Sequence, residues 1–345
     1  MDIIRRPRRM RRSAAIRDLI AETRVTTDDL VAPLFLKESG EPEPIASLAG
    51  QARLNPTDMK KELSVLEDLG VKGVALFPVF PAEIKDQEGS VALDGENYFY
   101  QTLHELKTTF PEMVFFIDVA LDPYTSHGHD GVLEQPDEDE VESNPSSSSS
   151  PALAVDNDAT VEILVQMSVL IAETGIDFVA PSDMMDGRVG AIRDGLDISG
   201  FPETGILSYA AKFNSACYGP FRDAVGSNQE TYVDKSGYQL NPANRREAIA
   251  DAMLDVEEGA DILMVKPAAW YLDVLYDLRD TTNDVPLAAY QVSGEYAMIQ
   301  SAAANGMINL ERGMTESLLA IKRAGADFIF TYFAKQMAET LNQSS

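Results

Sequence analysis

The 345-residue chain carries 28 Lys and Arg against 56 Asp and Glu, a formal net charge of −28 at pH 7, and 45% of its residues are hydrophobic. This balance speaks against general nucleic-acid binding, and no apolar run reaches the length that spans a membrane. The one cysteine, Cys217, excludes an internal disulfide framework and any zinc site that needs several thiolates. No apolar signal core follows the N-terminal arginines, so the expected location is the cytoplasm.

The chain opens on MDIIRRPRRMRRSAAIRDLIAETR, basic where the remainder is acidic. By composition it reads either as a solvated tail or as an arm laid on an acidic neighbouring subunit. Eight strand-like apolar runs follow: 30–36, 73–79, 114–121, 177–182, 205–211, 261–267, 287–294 and 327–333. Helical segments separate them, the clearest at 157–174, 241–258 and 314–324. Short β-rich runs alternating with helices indicate parallel βαβ units, and eight of them is the number of a (β/α)8 TIM barrel. One joint repeats: ETGIDFVAP, EEGADILMVKP and KRAGADFIFTYF each pass from a charged helix end through glycine to Asp177, Asp261 or Asp327 and into a strand. The predicted organisation is an N-terminal arm over 1–29 and a catalytic barrel over 30–345. Residues 133–150, acidic and then a serine tract, cannot bury a core and read as a surface loop insertion.

In such a barrel, residues at strand C-terminal ends converge on one mouth. Lys212 closes GILSYAAK and Lys266 closes ADILMVKP. An amine at the end of a buried strand is desolvated, which lowers its pKa and frees a lone pair for Schiff-base formation. Two such amines suggest chemistry on two carbonyl groups. Asp118 lies late in the third run, Ser182 ends the fourth, Ser293 is late in the seventh and Tyr332 is late in the eighth. Arg222 and Lys235 fall in a glycine-punctuated stretch over about 213–238, which reads as a lid carrying cations for a substrate carboxylate. The stretch DVALDPYTSHGHDG gathers Asp118, Asp122, His127, His129 and Asp130, a density that suggests a metal or proton-transfer site.

These segments together resemble the porphobilinogen synthase (5-aminolevulinate dehydratase) family. The resemblance runs over almost the whole chain, through APSDMMDGRVGAIR, SYAAKFNSACYGPFRDA, NPANRREA, MVKPAAWYLD, YQVSGEYAM and KRAGADFIFTYFAK. It implies a TIM barrel with an N-terminal arm and the asymmetric condensation of two 5-aminolevulinate molecules to porphobilinogen, with loss of two waters, in tetrapyrrole (heme and chlorophyll) biosynthesis. By the same resemblance Lys266 forms a Schiff base with the propionate-side substrate and Lys212 holds the acetate-side substrate. Ser293 and Tyr332 take the first substrate's carboxylate, Arg222 and Lys235 the second's, and Asp118 and Ser182 stand beside the lysines. The basic N-terminus then reads as an intersubunit arm of a homo-oligomer, expected to be an octamer.

Where the zinc-dependent branch has cysteines, this chain has Ala120, Asp122 and Asp130, so no catalytic zinc is expected. The pattern resembles the magnesium-responsive branch, which implies an allosteric Mg2+ at Asp251, where glutamate is usual; a monovalent cation is a further expectation. Trp270 replaces the usual proline after MVKP. A Schiff-base aldolase on the same fold is the competing reading, and it leaves the second lysine without a role.

Overall fold

The structure is a computed structural model that describes residues 4–134, 154–227 and 234–344. Its centre is a ring of eight parallel strands: β1 (Leu30–Lys37), β4 (Gly73–Val79), β5 (Val114–Val119), β6 (Phe178–Pro181), β7 (Gly205–Lys212), β8 (Ile262–Lys266), β9 (Leu287–Gln291) and β10 (Phe328–Thr331). The ring closes where Leu30 and Val31 of β1 pair with Ile329 and Phe330 of β10. Every strand is covered by helices outside and filled by side chains inside, which is why the runs are continuously apolar rather than alternating. Phe116 packs at ring-centroid distances of 5.0 Å from Phe178, 5.2 Å from Phe330 and 5.9 Å from Phe328, so aromatic rings fill the barrel interior.

A short hairpin adds to this ring. Strand β2 (Glu43–Pro44) pairs antiparallel with β3 (Ala52–Leu54), and β3 runs parallel to β1 with Phe35 opposite Arg53 and Leu36 opposite Leu54. It lies along the C-terminal part of β1, beyond the two residues that pair with β10, and so stands at the mouth of the barrel.

The repeated aspartate joint is a device at the opposite end. The Asp177 carboxylate accepts the Phe115 N–H of β5 at 3.0 Å, Asp261 accepts the Ile206 N–H of β7 at 2.7 Å, and Asp327 accepts the Leu287 N–H of β9 at 2.8 Å. Each carboxylate thus satisfies a strand-start donor on the preceding neighbour, a charge-assisted bond that sets the stagger of the pair. The glycine two residues earlier has positive φ in all three cases, +83° at Gly175, +100° at Gly259 and +127° at Gly325, which lets the helix end turn into the strand.

Helix α1 (Ala14–Leu19) lies in the basic N-terminal stretch, and none of its residues is buried. Around the barrel lie α2 (Pro56–Asp68), α3 (Tyr98–Thr109), α4 (Asn157–Glu173), α5 (Arg188–Ile198), the short α6 (Gly219–Ala224), α7 (Arg245–Glu257), α8 (Leu272–Thr281), α9 (Ser293–Ala304), α10 (Leu310–Ala324) and α11 (Ala334–Ser344). Helix α4 starts where the sequence places it, with the Asp156 carboxylate accepting the Ala159 N–H at 3.1 Å. Helix α7 starts later than expected, at Arg245, because the Asn241 side chain accepts the Ala243 N–H and holds residues 241–244 in a turn. Helix α10 starts earlier, at Leu310, capped by Asn309. Most of the 133–150 segment lies outside the described residues; at its edge Leu133 bridges to Val155. No helix among the described residues is long and apolar enough to cross a membrane.

Candidate active site

Lys212 and Lys266 are direct cross-strand partners at the ends of β7 and β8. Regular alternation does not produce this arrangement. Ser208 pairs with Leu263 and points outward, its Oγ 2.5 Å from the Asp255 carboxylate on α7. Counting on by twos, Lys212 would point outward as well. Between Ser208 and Ala211, however, β7 holds one residue more than β8, and this bulge reverses the phase. Lys212 therefore faces the barrel interior beside Lys266, and both are buried, each 5% exposed.

The two amines meet different walls. Lys266 Nζ is 4.6 Å from the Tyr290 ring centre, 4.8 Å from Tyr209, 5.2 Å from Phe221 and 5.5 Å from Tyr218. Burial in this aromatic cage, aided by repulsion from Lys212, lowers its pKa to about 7. Lys212 Nζ lies 3.2 Å from Asp130 Oδ1 and donates to the Ser182 carbonyl oxygen. Burial opposes its charge too, but Asp130, Asp122 and Asp118 outweigh burial and raise its pKa. The expectation that desolvation frees both lone pairs therefore holds for Lys266 and fails for Lys212, because only Lys212 has a carboxylate in contact.

Asp130 is the hinge of the charge arrangement. Its other oxygen is 2.9 Å from Lys235 Nζ, and Lys235 also faces Asp122 at 3.8 Å. Burial would raise the Asp130 pKa, but Lys212 and Lys235 hold it well below the usual range. Asp122 and Asp118 behave oppositely: burial raises both, Asp118 to about 7 against the pull of Lys266. One buried oxygen of Asp118, Oδ1, has no hydrogen-bond partner. A carboxyl near its midpoint with one oxygen unengaged can carry or release a proton at neutral pH.

The cavity is lined by Asp118, Asp122, Asp130, Ser182, Lys212 and Lys266, together with Arg222, Lys235, Phe221, Tyr218 and Gln239. Ser182 is the residue after β6, not its last. Ser293 is not late in a strand: β9 ends at Gln291 and Ser293 opens α9. Its Oγ accepts the Phe221 N–H at 3.0 Å and donates to the Cys217 carbonyl at 3.3 Å. The approach is tight enough that a Cβ on Gly294 would lie 2.5 Å from that same carbonyl oxygen. Tyr332 follows β10, with its hydroxyl 3.3 Å from that of Tyr290 and its ring stacked on Phe35. Ser293 and Tyr332 thus stand behind the aromatic wall rather than among the cavity-lining groups.

The histidines lie aside from the lysines. His127 Nε2 is 3.0 Å from the Gln87 carbonyl, and His129 Nδ1 is 3.2 Å from the Tyr238 hydroxyl. Burial lowers the pKa of both, His129 to about 4. Asp251 lines a separate groove with Glu247, one helical turn earlier on α7. Burial and the neighbouring Glu247 and Asp255 raise its pKa. Among the described residues no group of three or more His, Cys, Asp or Glu is arranged to hold a metal. Trp270 is exposed on the outside. Sequence reasoning did not single out the aromatic cage. Tyr209 and Tyr290 sit on strand runs where an aromatic reads as core, and only the position of Lys266 gives them another role.

The family model for delta-aminolevulinic acid dehydratase matches residues 4–340 of the chain. A delta-aminolevulinic acid dehydratase of Chlamydia pneumoniae is 48% identical over 344 residues, covering 99% of this chain and 98% of that protein. One from Bradyrhizobium diazoefficiens is 46% identical, covering 99% of this chain and 92% of that protein. The solved structure of the Toxoplasma gondii delta-aminolevulinic acid dehydratase (porphobilinogen synthase), in complex with its reaction product porphobilinogen, superposes with a TM-score of 0.92 at 41% identity, covering 99% of this chain and 93% of that one. A closed eight-stranded barrel, two amines paired at its mouth and similarity along nearly the whole length agree: the chain belongs to the delta-aminolevulinic acid dehydratase family.

Proposed function

We propose that this chain condenses two molecules of 5-aminolevulinate to porphobilinogen with loss of two waters, using Lys266 and Lys212 as Schiff-base amines. The observation that carries the reading is the pairing of these two lysines in one buried cavity with opposite electrostatic surroundings. Lys266, neutral for a large fraction of the time near pH 7, attacks the first ketone carbon. The resulting carbinolamine loses its hydroxyl as water when an acid supplies a proton, and Asp118 is placed to do so. The iminium acidifies the adjacent C–H, which permits carbon–carbon bond formation to a second substrate.

Lys212 begins as an ammonium and becomes a nucleophile only after passing a proton to a neighbouring group. This favours an order in which Lys266 is loaded first. Arg222 and Lys235 are the cations for the second substrate's carboxylate. Assigning the first carboxylate to Ser293 and Tyr332 requires both hydroxyls to leave the protein partners they hold here.

The reading includes stimulation by Mg2+ and no thiolate-bound zinc. Asp251 and Glu247 offer two carboxylates on one helix face with excess negative charge, a donor set that fits a hard cation that keeps most of its water. Bound there, the ion would neutralise that charge. Asp122 and Asp130 already face lysine ammonium groups. The exposed arm, with Arg5, Arg6, Arg8 and Arg9 and the bare side chains of Ile4 and Leu19, supports assembly of an acidic barrel into a homo-oligomer, an octamer in this reading. A cytoplasmic location is part of the same reading.

Incubation with 5-aminolevulinate and Mg2+ should yield a pyrrole that colours with an aldehyde dye reagent, and borohydride should trap substrate on Lys266. Absence of any pyrrole would overturn the reading. Loss of activity on chelation and recovery with Mg2+ but not Zn2+ tests the metal, and light scattering before and after removal of residues 1–20 tests the arm.

A further inference from the structure

Helix α6 roofs the cavity, and the residues that hold it come from the far side of the sequence. It has only six residues, and the N–H groups of Val225, Ser227 and Gly226 turn back onto the Phe221, Arg222 and Asp223 carbonyls, so the turn that ends it is short and is closed from outside at Ala224. We propose that Arg53, on the hairpin strand β3, is the positioning residue that clamps the last two carbonyls of α6 and fixes the helix over Lys266. Its Nε donates to the Ala224 carbonyl at 2.7 Å and its Nη2 to the Asp223 carbonyl at 2.5 Å. The third nitrogen pairs with Glu43 on β2, which orients the fork from behind. A planar guanidinium can serve two carbonyls and a carboxylate at once, whereas an ammonium on a flexible stem cannot hold that geometry. Positive charge at a helix C-terminus is also favoured by the helix dipole.

The hold is continued on both sides. Ser47 donates to the Asp223 carboxylate, and Lys85 Nζ lies within reach of the Val225 and Gly226 carbonyls at 3.4 and 3.3 Å. At the other end of α6, Ser293 accepts the Phe221 N–H. Between these two anchors lie Phe221, whose ring is 5.2 Å from Lys266 Nζ, and Arg222 at the cavity. Phe221 also packs on Phe77 and Phe35, and Phe35 is the β1 residue opposite Arg53. The pairing of β3 with β1 therefore sets where Arg53 stands, and Arg53 sets where the roof stands.

This inference rests on the proposed reaction for its kinetic test and on geometry alone for its structural test. Arg53→Ala should raise the half-saturating 5-aminolevulinate concentration about tenfold, with a smaller fall in kcat, since the roof carries a carboxylate cation rather than the attacking amine. Arg53→Lys should recover only part of the loss. Asp223→Ala should have less effect than either, because the Arg53 hydrogen bonds to α6 run to main-chain carbonyls and the guanidinium comes only to 3.9 Å from the Asp223 carboxylate. Hydrogen exchange of residues 219–226 should quicken in Arg53→Ala and, less, in Arg53→Lys, while the strand amides of β7 and β8 stay protected. Unchanged half-saturation together with unchanged exchange at α6 would overturn the proposal, as would exchange that quickens equally throughout the barrel. Should Arg53→Ala not fold, Arg53→Lys carries both measurements. If the unaltered chain forms no pyrrole, the reaction assignment fails while the exchange measurement still decides on the clamp.

Discussion

Around Lys266 the wall is four aromatic rings; around Lys212 it is carboxylate and carbonyl oxygen. The two side chains sit opposite each other on adjacent strands and are equally buried. Burial penalises charge on both, so it cannot explain why their pKa values move apart. The difference lies in what replaces the lost water. Rings offer a quadrupole, which supports a cation weakly, while Asp130 offers a full opposite charge in contact. Equivalent positions in a barrel thus carry unequal chemistry through their neighbours.

The comparison can be broken most directly by removing one amine at a time. Lys266→Ala should cost at least about 10⁴-fold in kcat/KM, with the borohydride-trapped adduct lost from the peptide that carries position 266. Comparable turnover in this variant would mean that the neutral lysine is not the nucleophile. Lys212→Ala should lose about 10³-fold in pyrrole formation yet still trap substrate on Lys266, as mass spectrometry of the labelled peptide would report. Asp130→Asn removes the contact charge from Lys212 and leaves Lys235 with the more distant Asp122 as its carboxylate; about 10²-fold loss in kcat/KM is expected, with trapping at Lys266 retained.

The pH dependence sharpens the contrast further. Lys266 must be neutral to attack, so trapping should rise with pH and reach half its maximum near pH 7. The Lys212 ammonium lowers the Lys266 pKa, so in Lys212→Ala the midpoint should move to higher pH, by about one unit if the repulsion is worth tenfold in proton affinity. Asp118 acts in the other direction, and in Asp118→Asn the midpoint should move to lower pH. Midpoints that stay put in both variants would separate the two lysines electrostatically. The smallest effect is expected at the cage itself. Tyr290→Phe keeps the ring beside Lys266 and should change kcat/KM less than about threefold, while the loss of its 3.3 Å partnership with Tyr332 should lower stability by about 1 kcal/mol, read by denaturant unfolding.

Much of this molecule is local pattern, and local pattern is legible. Eight apolar runs separated by amphipathic helices mark the strands, because a strand buried on both faces has no polar alternation to obscure it. The Gly and Asp of the three repeated joints are visible for the same reason: a helix end and a strand start are decided within a few residues. The two lysines stand out because a charge closing an apolar run is rare. The segments that carry family resemblance extend that reading along the whole chain.

Other features depend on residues that the chain brings together only when it closes. The bulge between Ser208 and Ala211 turns Lys212 inward, and strand alternation read from sequence would have turned it out. The charge on Lys212 is set by Asp130, 82 residues earlier, and the roof over Lys266 is held by Arg53, about 170 residues before the carbonyls it meets. Strand register and long-range electrostatics are properties of pairs, and a pair has no signature in either member alone. The sequence by itself determined which groups this barrel could use; the tertiary structure decided which of them meet, and so which lysine is held charged and which is free to react.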